Sequence, residues 1–362
     1  MSKRTLGGVF GLVALAVSLS ACFDKDDPMI EPEVKEDGNL EYRDPEAGPI
    51  GQLPPLPFDP QPGEPGSEEP GTPGEQPGTQ PGEQPTQPTQ PPAGEPAILV
   101  GAGDIARCSS DGDEQTARIL DRVVAQHPNA VVFAAGDLAY NDGSPTEFKN
   151  CYDPTWGRHK ARTRPAPGNH EYGTKGAAGY FAYFGEQAGE AGKGYYSYEL
   201  GNWHVVALNS NCSAVGGCGE GSPQLTWLKQ DLAKSGKKCI AAYWHHPRFS
   251  SGSHGPNTAV TPLWKALEDA GADFVVVGHD HHYERFAPMN SRGEATPNGI
   301  REFLVGSGGT SFRTVGKTAN SQVAQVGTHG VMKFTLHDDK YEWEFLPVDG
   351  KTFTDKGSAA CN

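Results

Sequence analysis

Val131-Val132-Phe133-Ala134-Ala135-Gly136-Asp137-Leu138-Ala139-Tyr140 is the stretch on which the reading of this chain turns. An unbroken apolar run closed by Gly-Asp predicts a buried strand that stops abruptly in a tight turn. The turn presents the Asp137 carboxylate and, three residues on, the Tyr140 phenol. Taken alone, the segment favours reading Asp137 as a helix N-cap following a strand.

The neighbouring sequence displaces that reading. Upstream, Ala97-Ile98-Leu99-Val100-Gly101-Ala102-Gly103-Asp104 is a second apolar strand ending in Gly-Asp. Between the two, Thr116 to Val124 is spaced for one apolar helical face and is ended by His127-Pro128-Asn129. A strand–helix–strand unit predicts parallel pairing, with Asp104 and Asp137 at one sheet edge. That edge is where α/β proteins place their sites. Downstream, Arg164 to Glu171 is turn-rich and carries Asn169, His170 and Glu171 in succession. Tyr195–Leu200 and Trp203–Asn209 predict an antiparallel hairpin around Gly201-Asn202. A helix is expected over Pro223 to Leu232 and another over about Pro262 to Ala270. The strand Cys239–Trp244 ends in His245-His246-Pro247, with His254 in a Gly/Ser-rich loop beyond it. The strand Asp273–Val277 ends in Gly278-His279-Asp280-His281-His282. From Glu302 on, Phe303–Val305, Val331–Leu336 and Tyr341–Phe345 predict antiparallel strands with one buried face.

Strand ends therefore supply Asp104, Asp137, His245, His279 and His281, and a loop supplies Asn169. This mixture of oxygen and imidazole donors suits Fe, Mn or Zn better than Ca or Mg alone. It exceeds what one tetrahedral zinc needs and suits two ions about 3.5–4 Å apart that share a carboxylate.

In order, Gly103-Asp104, Gly136-Asp137-x-x-Tyr140, Gly168-Asn169-His170-Glu171, His245-x-Pro247 and Gly278-His279-x-His281 resemble the calcineurin-type metallophosphoesterases. The tyrosine narrows the resemblance to the purple acid phosphatases. It covers most of residues 97–346 and implies an α/β (α+β) four-layer sandwich, two mixed β-sheets flanked by helices. It further implies that Asp104, Asp137, Tyr140 and His281 hold Fe(III), coloured by tyrosinate-to-iron charge transfer. Asp137, Asn169, His245 and His279 would hold Fe(II), Zn(II) or Mn(II). The implied reaction is hydrolysis of phosphate monoesters by a metal-activated hydroxide, with His170 contacting substrate and His254 contacting or protonating the leaving group. A phosphodiesterase or nucleotide-specific phosphohydrolase with the same metals is the enzymatic alternative, and a tethered metal-containing interaction module the non-enzymatic one. The first motif departs from the family in reading Gly-Asp-Ile-Ala, where many members have a second glycine, and the N-terminal β-sandwich of the large plant enzymes is missing. His159, His204, His282 and His329 have no motif role and are expected to be surface or packing residues; His246 is a candidate supporting or substrate residue.

The remaining sequence describes delivery. Met1-Ser2-Lys3-Arg4 and the apolar run Val9–Leu19 read as a secretory signal, too short for a comfortable membrane span. Leu19-Ser20-Ala21-Cys22 resembles a bacterial lipobox, which implies lipidation of Cys22, an exported protein anchored at the cell envelope, and, with Phe23 following, a lean toward the outer membrane. The expected divisions are a signal peptide at 1–22, an acidic, Pro/Gly-rich disordered tether at 23–96 and a catalytic domain at 97–362. The formal net charge is −15, of which −14 falls in 23–96, so the domain offers no basic footprint for a nucleic acid. The partners left are a small phosphoester and the membrane. With Cys22 set aside, Cys108, Cys151, Cys212, Cys218, Cys239 and Cys361 form an even set that favours disulfides over a thiolate zinc site, for which no CxxC exists. Cys212 and Cys218, flanking a Gly-rich loop, are the pair the sequence makes easiest to assign.

Overall fold

The computed structural model describes residues 33–34, 40–41, 90–92 and 94–362. The signal segment, Cys22 and most of the 23–96 tether lie outside the described residues. Strands β1 (Glu33–Val34) and β2 (Leu40–Glu41) pair antiparallel with each other. The chain divides into two units, residues 1–78 and residues 79–362. In the larger unit, the Gln90 side chain donates to the Glu199 carbonyl at 2.7 Å and accepts from the Gly201 N–H at 2.9 Å.

Its first half is the predicted strand–helix–strand. β3 (Ala97–Ala102) is followed by the two-residue β4 (Ala106–Arg107), then α1 (Gly112–Gln126) and β5 (Val131–Ala135). Pro128 disfavours helical backbone at His127, so α1 stops there. β6 (Ala139–Tyr140) pairs parallel with β4 and carries the edge one step beyond the main sheet. Next come α2 (Pro145–Glu147), begun by a Ser144–Glu147 capping box, β7 (Thr163–Ala166) and α3 (Ala178–Phe184).

β8 (Tyr196–Leu200) and β9 (Trp203–Ala207) form the expected hairpin. α4 (Pro223–Ser235) starts where the Ser222 side chain accepts the Leu225 N–H, with Pro223 in its first turn, and stops at left-handed Gly236. β10 (Cys239–Tyr243), α5 (Thr261–Asp269), β11 (Phe274–Val277), β12 (Tyr283–Phe286), β13 (Arg301–Val305), β14 (Ser321–Gln325), β15 (Gly330–Leu336), β16 (Lys340–Pro347) and β17 (Lys356–Ala360) complete the chain.

The strands form two mixed sheets, ordered β17-β16-β15-β3-β5-β7 and β14-β12-β13-β11-β10-β9-β8. β9, β10, β11 and β13 run parallel. Their residues alternate between two cores. Val205, Ala241, Phe274 and Phe303 face the six-stranded sheet, where the Phe274 and Phe334 rings stack at 4.4 Å. Val206, Ala242, Val275 and Leu304 pack outward on Leu225 and Leu228 of α4 and Leu263, Trp264 and Leu267 of α5. Burial on both faces explains why these strands read as continuous apolar runs. It also corrects one expectation: Phe303–Val305 is an interior strand, parallel to β11, with both faces covered.

The cysteines form Cys108–Cys151, Cys212–Cys218 and Cys239–Cys361 disulfides, the second as expected. The last joins the start of β10 to the segment after β17 and so staples one sheet to the other. Among the described residues, no helix is long and apolar enough to cross a membrane.

Candidate metal centre

β3, β5, β10 and β11 all finish at one edge of the sandwich, and the residues singled out in the sequence meet there. The two Gly-Asp turns prolong the parallel pairing: Asp104 N–H donates to Gly136 O at 3.0 Å and Ile105 N–H to Asp137 O at 2.9 Å. Asp104, Asp137 and His279 have φ of +59°, +52° and +73°. A side chain in this left-handed region costs about 1–2 kcal/mol, and such strain gathers at functional sites. Glycine is required beside them. A Cβ on Gly136, itself at φ +81°, would lie 2.5 Å from the His245 ring, and one on Gly168 would overlap Asp137 Oδ1.

Two sets of donors share Asp137. In the first, the Tyr140 hydroxyl lies 3.0 Å from Asp104 Oδ1, 3.1 Å from Asp137 Oδ2 and 3.3 Å from His281 Nε2. One hydroxyl hydrogen cannot serve three acceptors, so this set carries a surplus of lone pairs. In the second, His245 Nε2 lies 3.1 Å from Asp137 Oδ2, 3.1 Å from Asn169 Oδ1 and 3.2 Å from His279 Nδ1. His245 Nδ1 donates to Ala135 O at 3.0 Å and His281 Nδ1 to Ser311 O at 2.6 Å. A backbone carbonyl thus fixes each imidazole with its Nε2 lone pair facing inward, the arrangement of a metal-ligating histidine. Asp137, His245 and His279 have ligand atoms within 4.8 Å of one another. By donor type, tautomer and convergence, the residues fit a pair of cations.

Electrostatics point the same way. Burial pushes Asp137 up, but the charges of His245, His170 and His279 outweigh it and hold the carboxyl well below its usual range. His245 is opposed by burial yet raised to about 9 by Asp137. Burial and the Asp104 and Asp137 charges disfavour the Tyr140 phenolate; a cation between these groups would act in the opposite sense.

The two further candidates flank this centre. His170 donates its N–H to Asp137 Oδ1 at 2.9 Å, bonds Asn141 O through Nδ1, and sets its ring 4.4 Å from that of Tyr140. The His254 ring stacks on His279 at 4.4 Å, and burial, then Arg313, lower its proton affinity. His246 bonds Ser210 Oγ at 2.8 Å with its ring 4.5 Å from His279; burial, then His245, push it down to about 3. The histidines without a motif role have structural partners. His159 meets Asp121, His204 lies between Glu199 and Asp231, His282 meets Glu284, and His329 stacks on Phe312.

Two positioning residues escaped the sequence reading. Glu171 is fully buried and accepts N–H groups from Asp137 (2.9 Å), Leu138 (2.8 Å), Ala139 (3.3 Å) and Gly168 (2.7 Å), tying the Asp137 turn to the Asn169 loop. Burial, then Asp137, push its carboxyl up to about 7. Asp280 accepts the His254 N–H at 3.0 Å and the Ser250 hydroxyl at 2.5 Å, which holds the His254 loop. Both stand inside the quoted motifs, but only the folded loops show what they hold.

A two-sheet sandwich with carboxylate, phenol, amide and imidazole donors at one strand edge defines a metallophosphoesterase. The sequence pattern of the calcineurin-like phosphoesterases matches residues 99–283, and the chain belongs to that family. Its relatives include purple acid phosphatase 18 of Arabidopsis thaliana, 27% identical over 244 residues, covering 60% of this chain and 51% of the relative. Purple acid phosphatase 21 of the same plant is 28% identical with the same coverage. The chain thus spans about half the length of the curated relatives it matches. A purple acid phosphatase from yellow lupin seeds shares the fold, with TM-score 0.61, 17% identity, and coverage of 76% of this chain and 55% of that one.

Proposed function

We propose that the chain is a binuclear-metal hydrolase of phosphate monoesters, acid phosphatase-like, with the metals shared across Asp137. Asp104, Asp137, Tyr140 and His281 would hold Fe(III), and Asp137, Asn169, His245 and His279 a divalent Fe, Zn or Mn. The observation that supports this best is the Tyr140 hydroxyl set among Asp104, Asp137 and His281 at 3.0–3.3 Å. Bound there, the two cations would supply Lewis acidity, acidifying water and offsetting phosphoryl charge.

The chain's own residues supply the rest. His170 would donate to a non-bridging phosphoryl oxygen, and His254 would give a proton to the departing oxygen. In the net step, a water oxygen bonds to phosphorus and the bond to the ester oxygen breaks. That oxygen leaves with the electron pair and is protonated, giving an alcohol and orthophosphate. Glu171 and Asp280 keep the two loops in register, and burial of Asp104 and Asp137 keeps bulk water off the inner side of the site.

Metal analysis combined with a screen of mono- and diesters tests this. Two metals per chain and faster monoester turnover are expected; no turnover on any phosphoester despite bound metals would overturn it. For the first metal, Tyr140→Phe should abolish the visible absorption of the holoenzyme, and an unchanged band would refute a tyrosinate–iron assignment. We further propose that Cys22 is lipidated and anchors the protein at the bacterial envelope, in the outer membrane. Cys22→Ser should release it from membranes, and full retention would refute the anchor.

A further inference from the structure

Residues 209–211 leave the seven-stranded sheet just beyond β9. The strand pairing continues one residue past β9, with the Leu208 N–H donating to Tyr243 O at 2.9 Å, and then stops. Asn209 is fully buried, so both of its backbone polar groups need partners away from water. One side chain supplies them. Gln224, in the first turn of α4 and equally buried, accepts the Asn209 N–H at 2.8 Å and donates to Asn209 O at 2.8 Å. A single amide thus stands in for a neighbouring strand. Gln224 Nε2 also lies 3.6 Å from Cys218 Sγ, whose bond to Cys212 closes the loop that follows.

From this anchor the three residues reach two of the donor-bearing segments. Asn209 Nδ2 donates to the Tyr172 hydroxyl at 2.8 Å and to Lys193 O at 2.9 Å. Ser210 Oγ accepts the His246 N–H at 2.9 Å and meets His246 Nδ1 at 2.8 Å, which holds the residue beside His245. The Asn211 N–H and Nδ2 both donate to Asn209 Oδ1 at 3.0 Å, and Nδ2 reaches Pro167 O and Gly168 O at 3.2 Å each. Those two carbonyls immediately precede Asn169. Because Glu171 accepts the Gly168 N–H at 2.7 Å, Gly168 is gripped through both of its backbone groups. Among the described residues, no hydrogen bond runs from 209–211 to Asp104, Tyr140 or His281, whose partners lie elsewhere.

We propose that Gln224 and Asn211 are positioning residues for one of the two cations only, the ion of the Asn169, His245 and His279 set. This deepens the two-metal reading above and rests on it. A ligating constellation has to be held to within about 0.5 Å of its working geometry. Within that set the Asn169 amide has neither the charge of a carboxylate nor the basicity of an imidazole, so it contributes only where its backbone places it. Gln224 fixes Asn209, Asn209 orients the Asn211 amide, and Asn211 fixes the carbonyls ahead of Asn169. Groups that orient a ligand in this way typically set metal affinity over about 10–100-fold.

The test compares the full chain with Asn211→Asp, which keeps the size of the side chain but removes its Nδ2 donor, and Gln224→Met, which keeps the length but removes both partners of Asn209. Calorimetric titration of metal-free protein with Zn(II) should show two ions in the parent. Each variant should bind one ion about tenfold or more weakly and the other as in the parent. A general loss of stability would instead weaken both alike. In metal-free protein, amide exchange read by mass spectrometry should quicken over residues 166–171 in both variants, while residues 102–106 around Asp104 exchange as in the parent. Equal losses at the two ions, no loss at either, or unchanged exchange over 166–171 in Asn211→Asp would overturn the assignment. If the parent binds fewer than two ions, the two-metal reading fails and exchange decides alone: quickening over 166–171 with 102–106 unchanged supports the positioning role, and any other pattern refutes it. Should Gln224→Met fail to fold, Asn211→Asp, made at a half-buried side chain, carries the same test.

Discussion

Replacing Glu171 with glutamine exchanges one carboxylate oxygen for an NH2 group in a side chain whose two oxygens accept four backbone N–H groups. Whichever way the amide turns, two of those four buried donors then face another donor. Each N–H left without an acceptor costs about 1–3 kcal/mol. Burial and Asp137 push the Glu171 carboxyl up to about 7, so removing its charge relieves part of that loss. The balance is a destabilisation of about 2–4 kcal/mol. For a domain of this size that lowers Tm by roughly 5–15 °C. The Asp137 turn and the Asn169 loop should also lose their common register, so metal content should fall with stability. Thermal unfolding at neutral pH by circular dichroism, alongside metal analysis, reads both. A variant that melts within about 2 °C of the parent and keeps its full metal complement would refute the assignment of Glu171 as the brace between the loops.

Three further perturbations probe separate features. Gly136→Ala forces a side chain at φ +81° into a position 2.5 Å from His245, so metal affinity should drop and stability fall by about 2–4 kcal/mol, measurable by calorimetry and metal titration. Cys239→Ser opens a disulfide spanning 122 residues and should cost about 2–4 kcal/mol in unfolding experiments, while kcat at 25 °C stays close to that of the parent. Asp273 is pushed up by burial to about 6 from 3.8. Its folded pKa exceeds its unfolded one, so its contribution is greatest below the unfolded value and is lost as pH rises through about 6. Relative to Asp273→Asn, the parent should therefore lose about 2–3 kcal/mol between about pH 4 and pH 7. Parallel denaturation curves at the two pH values, with no change in the difference, would contradict this.

Much of the candidate site was readable because its donor residues sit where apolar strands stop. Runs such as Val131–Ala135 and Phe274–Val277 are buried on both faces, so the residues that end them are the first polar groups the chain can offer. The same physics concealed the status of Phe303–Val305. Two covered faces leave no alternation to distinguish an interior parallel strand from a short antiparallel one. Glu171 and Asp280 were quoted within motifs yet carried no role, because their function lies in accepting N–H groups from loops remote in sequence. The Cys108–Cys151 and Cys239–Cys361 pairs were unreadable for a related reason: partners 43 and 122 residues apart are brought together only by the folded chain.

Gln90 gives the domain an orientation. It grips the β8–β9 turn at Glu199 and Gly201, where β9 begins, while the donor cluster lies where the parallel strands end. A strand of five residues spans about 17 Å, so the incoming chain and the chemistry occupy opposite poles of the sandwich. The edge that carries the donor cluster therefore lies at the far end of the domain from the β8–β9 turn that Gln90 holds.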